Sequence, residues 1–301
     1  MGPGAPMTLI TEIAAEISQV TGSRFDPLRR SSIPGGCINR TEILEGRGEH
    51  YFLKLNTPEH HEMFAAEAAG LREIGRTGAI RVPAPICWGV ADGHSYLVLE
   101  YLELGRADAQ TAKKLGYGLA QLHQIHSECF GWHRNNTIGT TPQINTPSAH
   151  WSDFWGRQRL RFQLDLAARK GYRGSLQRDG ERVLAVLPAL LDGHQPQPSL
   201  LHGDLWGGNY AADRNGEPVI FDPAVYFGDR ETDLAMTELF GGFPAEFQES
   251  YRERLPLDSG YRIRKNLYNL YHILNHLNLF GGGYQAQAER MLVSLLQTVG
   301  A

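Results

Sequence analysis

Cysteine is scarce in this chain. Cys37, Cys87 and Cys129 are the whole complement of its 301 residues. They are odd in number, far apart and form no C-x-x-C pair, so a disulfide framework is excluded and a reducing, cytoplasmic setting is expected. No apolar run approaches the length of a bilayer span. The N-terminus has no charged-then-apolar leader pattern, and residues 1–7, rich in Gly and Pro, read as a flexible start. Basic residues are not in excess: 29 Lys and Arg stand against 33 Asp and Glu, a net charge of -4. A sequence-independent nucleic-acid binder would be basic overall, so neither nucleic acid nor a membrane is expected as a partner. Internal repeats and low-complexity blocks are also missing. His60-His61 and His123/His126 lack partners at zinc-site spacing and read as ordinary helix residues.

What is present suffices for a sizeable core, with 42% hydrophobic and 21% charged residues. Ile10, Ile13, Ala14 and Ile17 recur at helical spacing, so Thr8 to Val20 reads as an amphipathic helix. Short strand-like runs follow at Leu28–Ile33, Arg40–Leu44, Tyr51–Leu55, Ile86–Val90 and Tyr96–Glu100, with one Ala-rich helix around Glu67. From Ala107 onward the pattern is helical. The switch predicts an α+β chain: a strand-rich unit over 8–102 and a mainly helical unit over 103–301. A Gly/Asn/Thr/Pro-rich stretch from Gly131 to Pro147 reads as a long loop. Helices are expected over 151–170, 177–191, 244–255, 259–280 and 284–299.

The chemistry concentrates in His202-Gly203-Asp204-Leu205-Trp206-Gly207-Gly208-Asn209. This is H-G-D-x-x-x-x-N, close to the phosphotransferase catalytic loop H-R-D-x-x-x-x-N. In such a loop the Asp accepts the proton of the attacking hydroxyl and the Asn holds Mg²⁺, which nominates Asp204 and Asn209. Eighteen residues after Asp204, the buried-strand pattern Pro218–Phe221 ends in Asp222-Pro223. A carboxylate presented at a strand end suits the Asp that bridges Mg²⁺ to nucleotide phosphates, and two oxygen ligands plus phosphates are what Mg²⁺ asks of a protein.

Upstream, Gly35-Gly36 lies between two strand patterns. It is either a phosphate-approaching loop or a plain hairpin. Lys54 sits on the strand after that hairpin, and Glu67 lies on the next helix. This is the order of the lysine and glutamate that pair over a nucleotide in kinases. Glu100, Tyr101 and Leu102, at the strand-to-helix switch, are the candidates for backbone contacts to an adenine.

Together these residues resemble the fructosamine kinase (ketosamine-3-kinase) family, within the aminoglycoside-phosphotransferase-like group. The resemblance spans roughly Thr8 to Val299. It is carried by His202–Asn209 with Trp206, by Asp222–Tyr226 running on to Gly228–Asp233, and by the runs Trp132–Gly139 and Leu270–His276. It implies a two-lobed protein-kinase-like fold, with a small antiparallel-sheet lobe and a larger helical lobe. It also implies ATP with Mg²⁺ and phosphorylation of the 3-hydroxyl of a ketosamine such as a ribulosamine, erythrulosamine or fructosamine, which initiates protein deglycation. Asp204 would be the base, Asn209 and Asp222 the metal ligands, Lys54 and Glu67 the nucleotide-side pair, and Asp233 a buttress of the catalytic loop. Trp206 is either a platform for the sugar or a core plug. His276 is either a substrate contact or a core histidine, and Asp229 either faces the substrate amine or caps a helix. Cys37, in the nucleotide loop, is either redox-regulatory or inert. A phosphotransferase for an aminoglycoside, choline or amino alcohol is the alternative activity. The state is expected to be a monomer or a homodimer.

Overall fold

The computed structural model describes residues 8–33 and 38–300. The expected flexible start over 1–7 and the positions of Gly35, Gly36 and Cys37 lie outside the described residues. Helix α1 (Leu9–Thr21) buries Leu9, Ile13, Ala14 and Ile17 along one face, the face that its apolar spacing marks. Strands β1 (Arg29–Ser32), β2 (Arg40–Glu45) and β3 (His50–Asn56), helix α2 (His61–Thr77), and strands β4 (Pro85–Ala91) and β5 (His94–Glu100) follow. The five strands form one antiparallel sheet in the order β1-β2-β3-β5-β4.

Alternation along the strands divides the two faces of this sheet. Leu53, Leu55, Tyr96 and Val98 pack with α1 in a small core of their own. Phe52, Leu97 and Leu99 turn the other way, into the main core shared with α2 and the helical lobe. Lys54, between Leu53 and Leu55, shares that second face and reaches α2 and the hairpin beyond it.

Helix α3 (Ala109–Leu122) opens the second lobe. Asp108 caps it, accepting from the Thr111 N–H at 2.8 Å. Gly116 lets α3 run against the later helix α8 (Ala245–Arg254): a Cβ there would stand 2.1 Å from Ser250 Oγ and 2.4 Å from the Phe247 carbonyl.

The stretch expected as a long loop contains a hairpin, β6 (Asn136–Ile138) with β7 (Thr141–Gln143). The helix expected over 151–170 is α4 (Trp151–Phe154), a π-helical stretch over Trp155–Arg161, and α5 (Phe162–Arg169). Helix α6 (Ser175–Leu190) leads to strands β8 (Ser199–Leu201), β9 (Tyr210–Ala212), β10 (Pro218–Ile220) and β11 (Tyr226–Gly228). The chain closes with α7 (Glu231–Thr237), α8, α9 (Tyr261–Phe280) and α10 (Gln285–Thr298).

Arg159, in the π-helical stretch, connects the two irregularities. It is fully buried, with no acidic partner among the described residues. Its guanidinium stacks 4.2 Å from the Tyr226 ring and 4.6 Å from that of Phe154. It donates to the Ile144 carbonyl at 2.6 Å and to Asn145 Oδ1 at 2.8 Å. Asn145 Nδ2 in turn donates to Asn136 Oδ1 at 2.8 Å. Gln143 Nε2 donates to Asn136 Oδ1 at 2.9 Å and to the Ala224 carbonyl at 3.0 Å. The π turn, a feature common at functional sites, carries the cation that anchors this hairpin. Arg159→Met removes the donor and leaves buried acceptors unpaired. A stability loss of about 2–4 kcal/mol is expected in denaturant titration. An unchanged unfolding midpoint would show that the guanidinium does not organise the hairpin.

Candidate active site

Two short strand pairs build the catalytic loop. Strand β8 runs antiparallel to β11, with Leu201 opposite Tyr226, and β9 pairs with β10. The turn between β9 and β10 is closed by Asp213, whose Oδ1 accepts from the backbone N–H of Asn215 and Glu217 at 2.8 and 2.9 Å. At the open end of this hairpin the Phe221 N–H reaches the Asn209 carbonyl at 3.1 Å, and the Ala224 N–H reaches the His202 carbonyl at 2.8 Å. Asp204, Asn209 and Asp222 are thereby held at one end of one hairpin.

Gly203 is required where it stands. Its φ is +83°, and a Cβ would lie 2.0 Å from the Ala224 carbonyl oxygen. Asp233, from α7, accepts both adjoining amides: His202 N–H at 2.7 Å and Gly203 N–H at 2.8 Å. His123 Nε2 adds a third contact to it at 3.2 Å. Burial pushes the Asp233 carboxyl up, but His123, His202 and the Gly203 amide outweigh that and hold its pKa below the ordinary aspartate range. His202 Nε2 bonds the Phe221 carbonyl at 3.0 Å, so its proton sits there, and Nδ1 accepts from the Asp204 N–H at 3.2 Å.

Asp204 is presented by this scaffold. Asn209 Nδ2 donates to its carbonyl at 2.8 Å and to its Oδ2 at 3.3 Å. Burial, then the charges of Asp222 and Asp233, push its pKa up to about 7, against a smaller lowering by the Asn209 amide. A carboxylate raised to that range is a far stronger base than an ordinary aspartate. Asp222 adopts φ +56°, a left-handed conformation that Asp tolerates better than most residues. That turn brings its Oδ1 within 2.6 Å of Lys54 Nζ, which also bonds Glu67 Oε1 at 2.5 Å. Burial opposes the Lys54 charge, but the Asp222 and Glu67 carboxylates outweigh it and hold its pKa above the ordinary lysine value.

These groups open onto one cleft of about 620 Å³ between the lobes. Lys54, Glu67, Glu100, Leu102, Asp204, Trp206, Asn209, Asp222 and His276 all line it. Ile33 and Ile38, on either side of the undescribed Gly35-Gly36-Cys37 segment, line it too. The Glu100 side chain is engaged by Arg81 and by the Ala84 N–H at 3.1 Å. The Tyr101 ring instead leans on His50, centroids 5.7 Å apart, and Tyr101 is not among the residues that line the cleft.

Trp206 is 40% exposed and is not a core plug. His276 is half-buried, its Nδ1 bonded to the His272 carbonyl at 2.8 Å. Asp229 is a correction. It is buried behind the catalytic loop, accepting from His194 Nε2 at 2.6 Å, Tyr268 Oη at 2.5 Å and the Glu231 N–H at 3.0 Å. It does not face the cleft, because these donors draw it inward and use its oxygens.

Sequence reasoning passed over His123 as an ordinary helix residue. It also gave no role to Gln143 or Arg159, because nothing in their local spacing marks a contact made across the fold. Asp233→Asn tests the buttress. The amide keeps one acceptor oxygen but turns its NH2 donor toward the other of the two N–H groups, so a stability loss of about 2–3 kcal/mol is expected. Unfolding curves that superimpose on those of the unaltered chain would remove Asp233 from this role.

The chain is similar to known proteins over nearly its whole length. The model of the family described as fructosamine kinase matches residues 9–298. A Synechocystis protein that carries the name ketoamine kinase is 52% identical over 286 residues, covering 95% of this chain and 96% of its own. The chloroplastic protein-ribulosamine 3-kinase of Oryza sativa subsp. japonica is 40% identical over 274 residues, covering 90% and 80%. A crystal structure from Haemophilus somnus, named for fructosamine-3-kinase, superposes with a TM-score of 0.88 at 28% identity, covering 94% and 96%. The fold is the two-lobed protein-kinase-like one, and the chain belongs to the fructosamine kinase family.

Proposed function

We propose that this chain transfers the γ-phosphoryl group of ATP to the 3-hydroxyl of a ketosamine, the rearranged adduct of a sugar on an amine. The observation that carries this reading is the convergence of Lys54, Glu67, Asp204, Asn209 and Asp222 on one cleft, in a chain whose relatives include a protein-ribulosamine 3-kinase. Asp204 takes the proton of the attacking hydroxyl. As the new bond forms between that oxygen and phosphorus, the bond from phosphorus to the departing ADP oxygen breaks. Lys54 pairs with the nucleotide phosphates, and the backbone from Glu100 to Leu102 takes the adenine. The 3-phosphate destabilises the adduct and so starts its removal from the amine.

Mg²⁺ fits the residues present. The Asn209 amide donates through Nδ2 to Asp204, which leaves its Oδ1 as a hard oxygen donor, and Asp222 spends only one oxygen, Oδ1, on Lys54. Hard oxygen donors are what this ion selects. Asn209 and Asp222 would hold it, and its charge would neutralise the phosphate oxygens. The cytoplasm is the proposed setting, from the unpaired thiols of Cys87 and Cys129. Among the described residues no helix is long and apolar enough to cross a membrane.

Asp204→Asn separates binding from chemistry. Calorimetry is expected to find ADP affinity within about threefold of the unaltered chain. Turnover of a ribulosamine, read by mass shift, is expected to fall by about 10³-fold or more. Unchanged turnover would remove Asp204 from the mechanism. A panel of ribulosamine, erythrulosamine, fructosamine, an aminoglycoside and choline is expected to show transfer to the ketosamines. Transfer to the last two alone would replace this reading with the alternative one.

A further inference from the structure

The β6–β7 hairpin belongs to the helical lobe but touches the other lobe at two points. At its foot, Arg134 donates to the Ala65 carbonyl at 3.3 Å and pairs with Glu62 at 2.9 Å, both on α2. At its tip, the bare backbone of Gly139 lies against Ile38 and Leu279. A Cβ there would stand 3.1 Å from Ile38 Cδ1 and 2.8 Å from Leu279 Cδ1. Ile38 leads into β2 and is held by Asn56, at the end of β3. Asn56 Nδ2 donates to the Ile38 carbonyl at 3.3 Å and to Asn39 Oδ1 at 2.8 Å.

Both points sit beside the Lys54–Glu67 pair. Ala65 is two residues from Glu67 on α2, and Asn56 is two residues from Lys54 on β3. The opposite side of the hairpin is fixed to the segment after Asp222. Asn136 Nδ2 donates to the Val225 carbonyl at 2.8 Å, and Gln143 Nε2 to the Ala224 carbonyl at 3.0 Å. Tyr271 Oη holds Gln143 in turn, donating to its Oε1 at 2.9 Å. One short element thus spans from the Asp222 run to the two elements that carry Glu67 and Lys54.

Arg134 does not line the cleft, so it can act on a bound nucleotide only through what it positions. Its partner Glu62 is 79% exposed, and a pair so open adds little to overall stability. The contact bears on the relative placement of the lobes rather than on the strength of either core.

Resting on the proposed use of ATP, we infer that the β6–β7 hairpin clasps the two lobes together and that Arg134 is a positioning residue for the nucleotide. The clasp holds α2 and β3 where Glu67 and Lys54 meet Asp222. Without it the lobes populate arrangements in which that meeting fails, and the apparent nucleotide affinity falls with the competent fraction. Saturating nucleotide draws the population back, so the loss falls on KM for ATP rather than on kcat.

Arg134→Ala is expected to weaken ADP binding by about threefold or more in calorimetry, and to raise the KM for ATP by a similar factor. Arg134→Lys keeps a charge within reach of Glu62 and is expected to recover most of that affinity. Arg134→Ala with ADP affinity and the KM for ATP both unchanged would overturn the clasp. So would a loss confined to the melting temperature, which is all that a merely structural contact would give. An unaltered chain that binds ADP but phosphorylates no ketosamine would overturn the proposed acceptor, and the ADP measurement would then decide the clasp by itself. An unaltered chain that binds no ADP would overturn both.

Discussion

A single buried ammonium joins the two lobes. Lys54 comes from the third strand of the sheet, Glu67 from α2 and Asp222 from the end of the catalytic hairpin, and both carboxylates lie within 2.6 Å of its Nζ. An isolated lysine at that depth would be driven to lose its proton. Two acids keep it charged, and each is placed by a different element. The site therefore depends on the relative position of sheet, helix and hairpin. Breaking such a triad leaves buried charge without compensation, which is far costlier than losing a surface pair.

Packing around α2 enforces that position. A Cβ on Gly70 would lie 3.0 Å from the Val225 side chain and close to Pro223, so α2 rests directly on the segment that follows Asp222. Arg134 ties the same helix to the hairpin loop of the second lobe, donating to the Ala65 carbonyl at 3.3 Å and pairing with Glu62 at 2.9 Å. The run Asp222–Tyr226 is held from three sides. The Asn136 and Gln143 amides take its carbonyls, α2 covers it, and β8 pairs with its end. Function and fold share these contacts. The residues that hold the carboxylates in place are the ones that hold the lobes together.

Much of this was legible in the sequence because it is local. The helix period of α1, the strand alternation and the H-G-D-x-x-x-x-N spacing all follow from neighbours in the chain. The order of Lys54, Glu67, Asp204 and Asp222 was legible as well, but their meeting was an expectation that only the packing of distant segments could realise. What was not legible is long-range. Asp229 and Asp233 are four residues apart with the same side chain, yet one supports the catalytic loop and the other pairs with His194 and Tyr268. Which does which depends on His123, just after α3, His194, in the turn after α6, and Tyr268 on α9. His123 and Arg159 likewise act through contacts across more than a hundred and about fifteen residues of chain, respectively, distances that no periodicity encodes. The β6–β7 hairpin escaped notice because polar tertiary bonds hold it, rather than an apolar pattern.

The account turns on whether the Lys54 triad is the frame of a metal–nucleotide site. The most direct measurement is a crystal structure of this chain with Mg²⁺ and a non-hydrolysable ATP analogue. The account expects Lys54 still bonded to Glu67, the cation on the oxygens of Asn209 and Asp222, and the adenine against the backbone of Glu100 to Leu102. A nucleotide bound outside this cleft, or a cation that touches neither Asn209 nor Asp222, would contradict it.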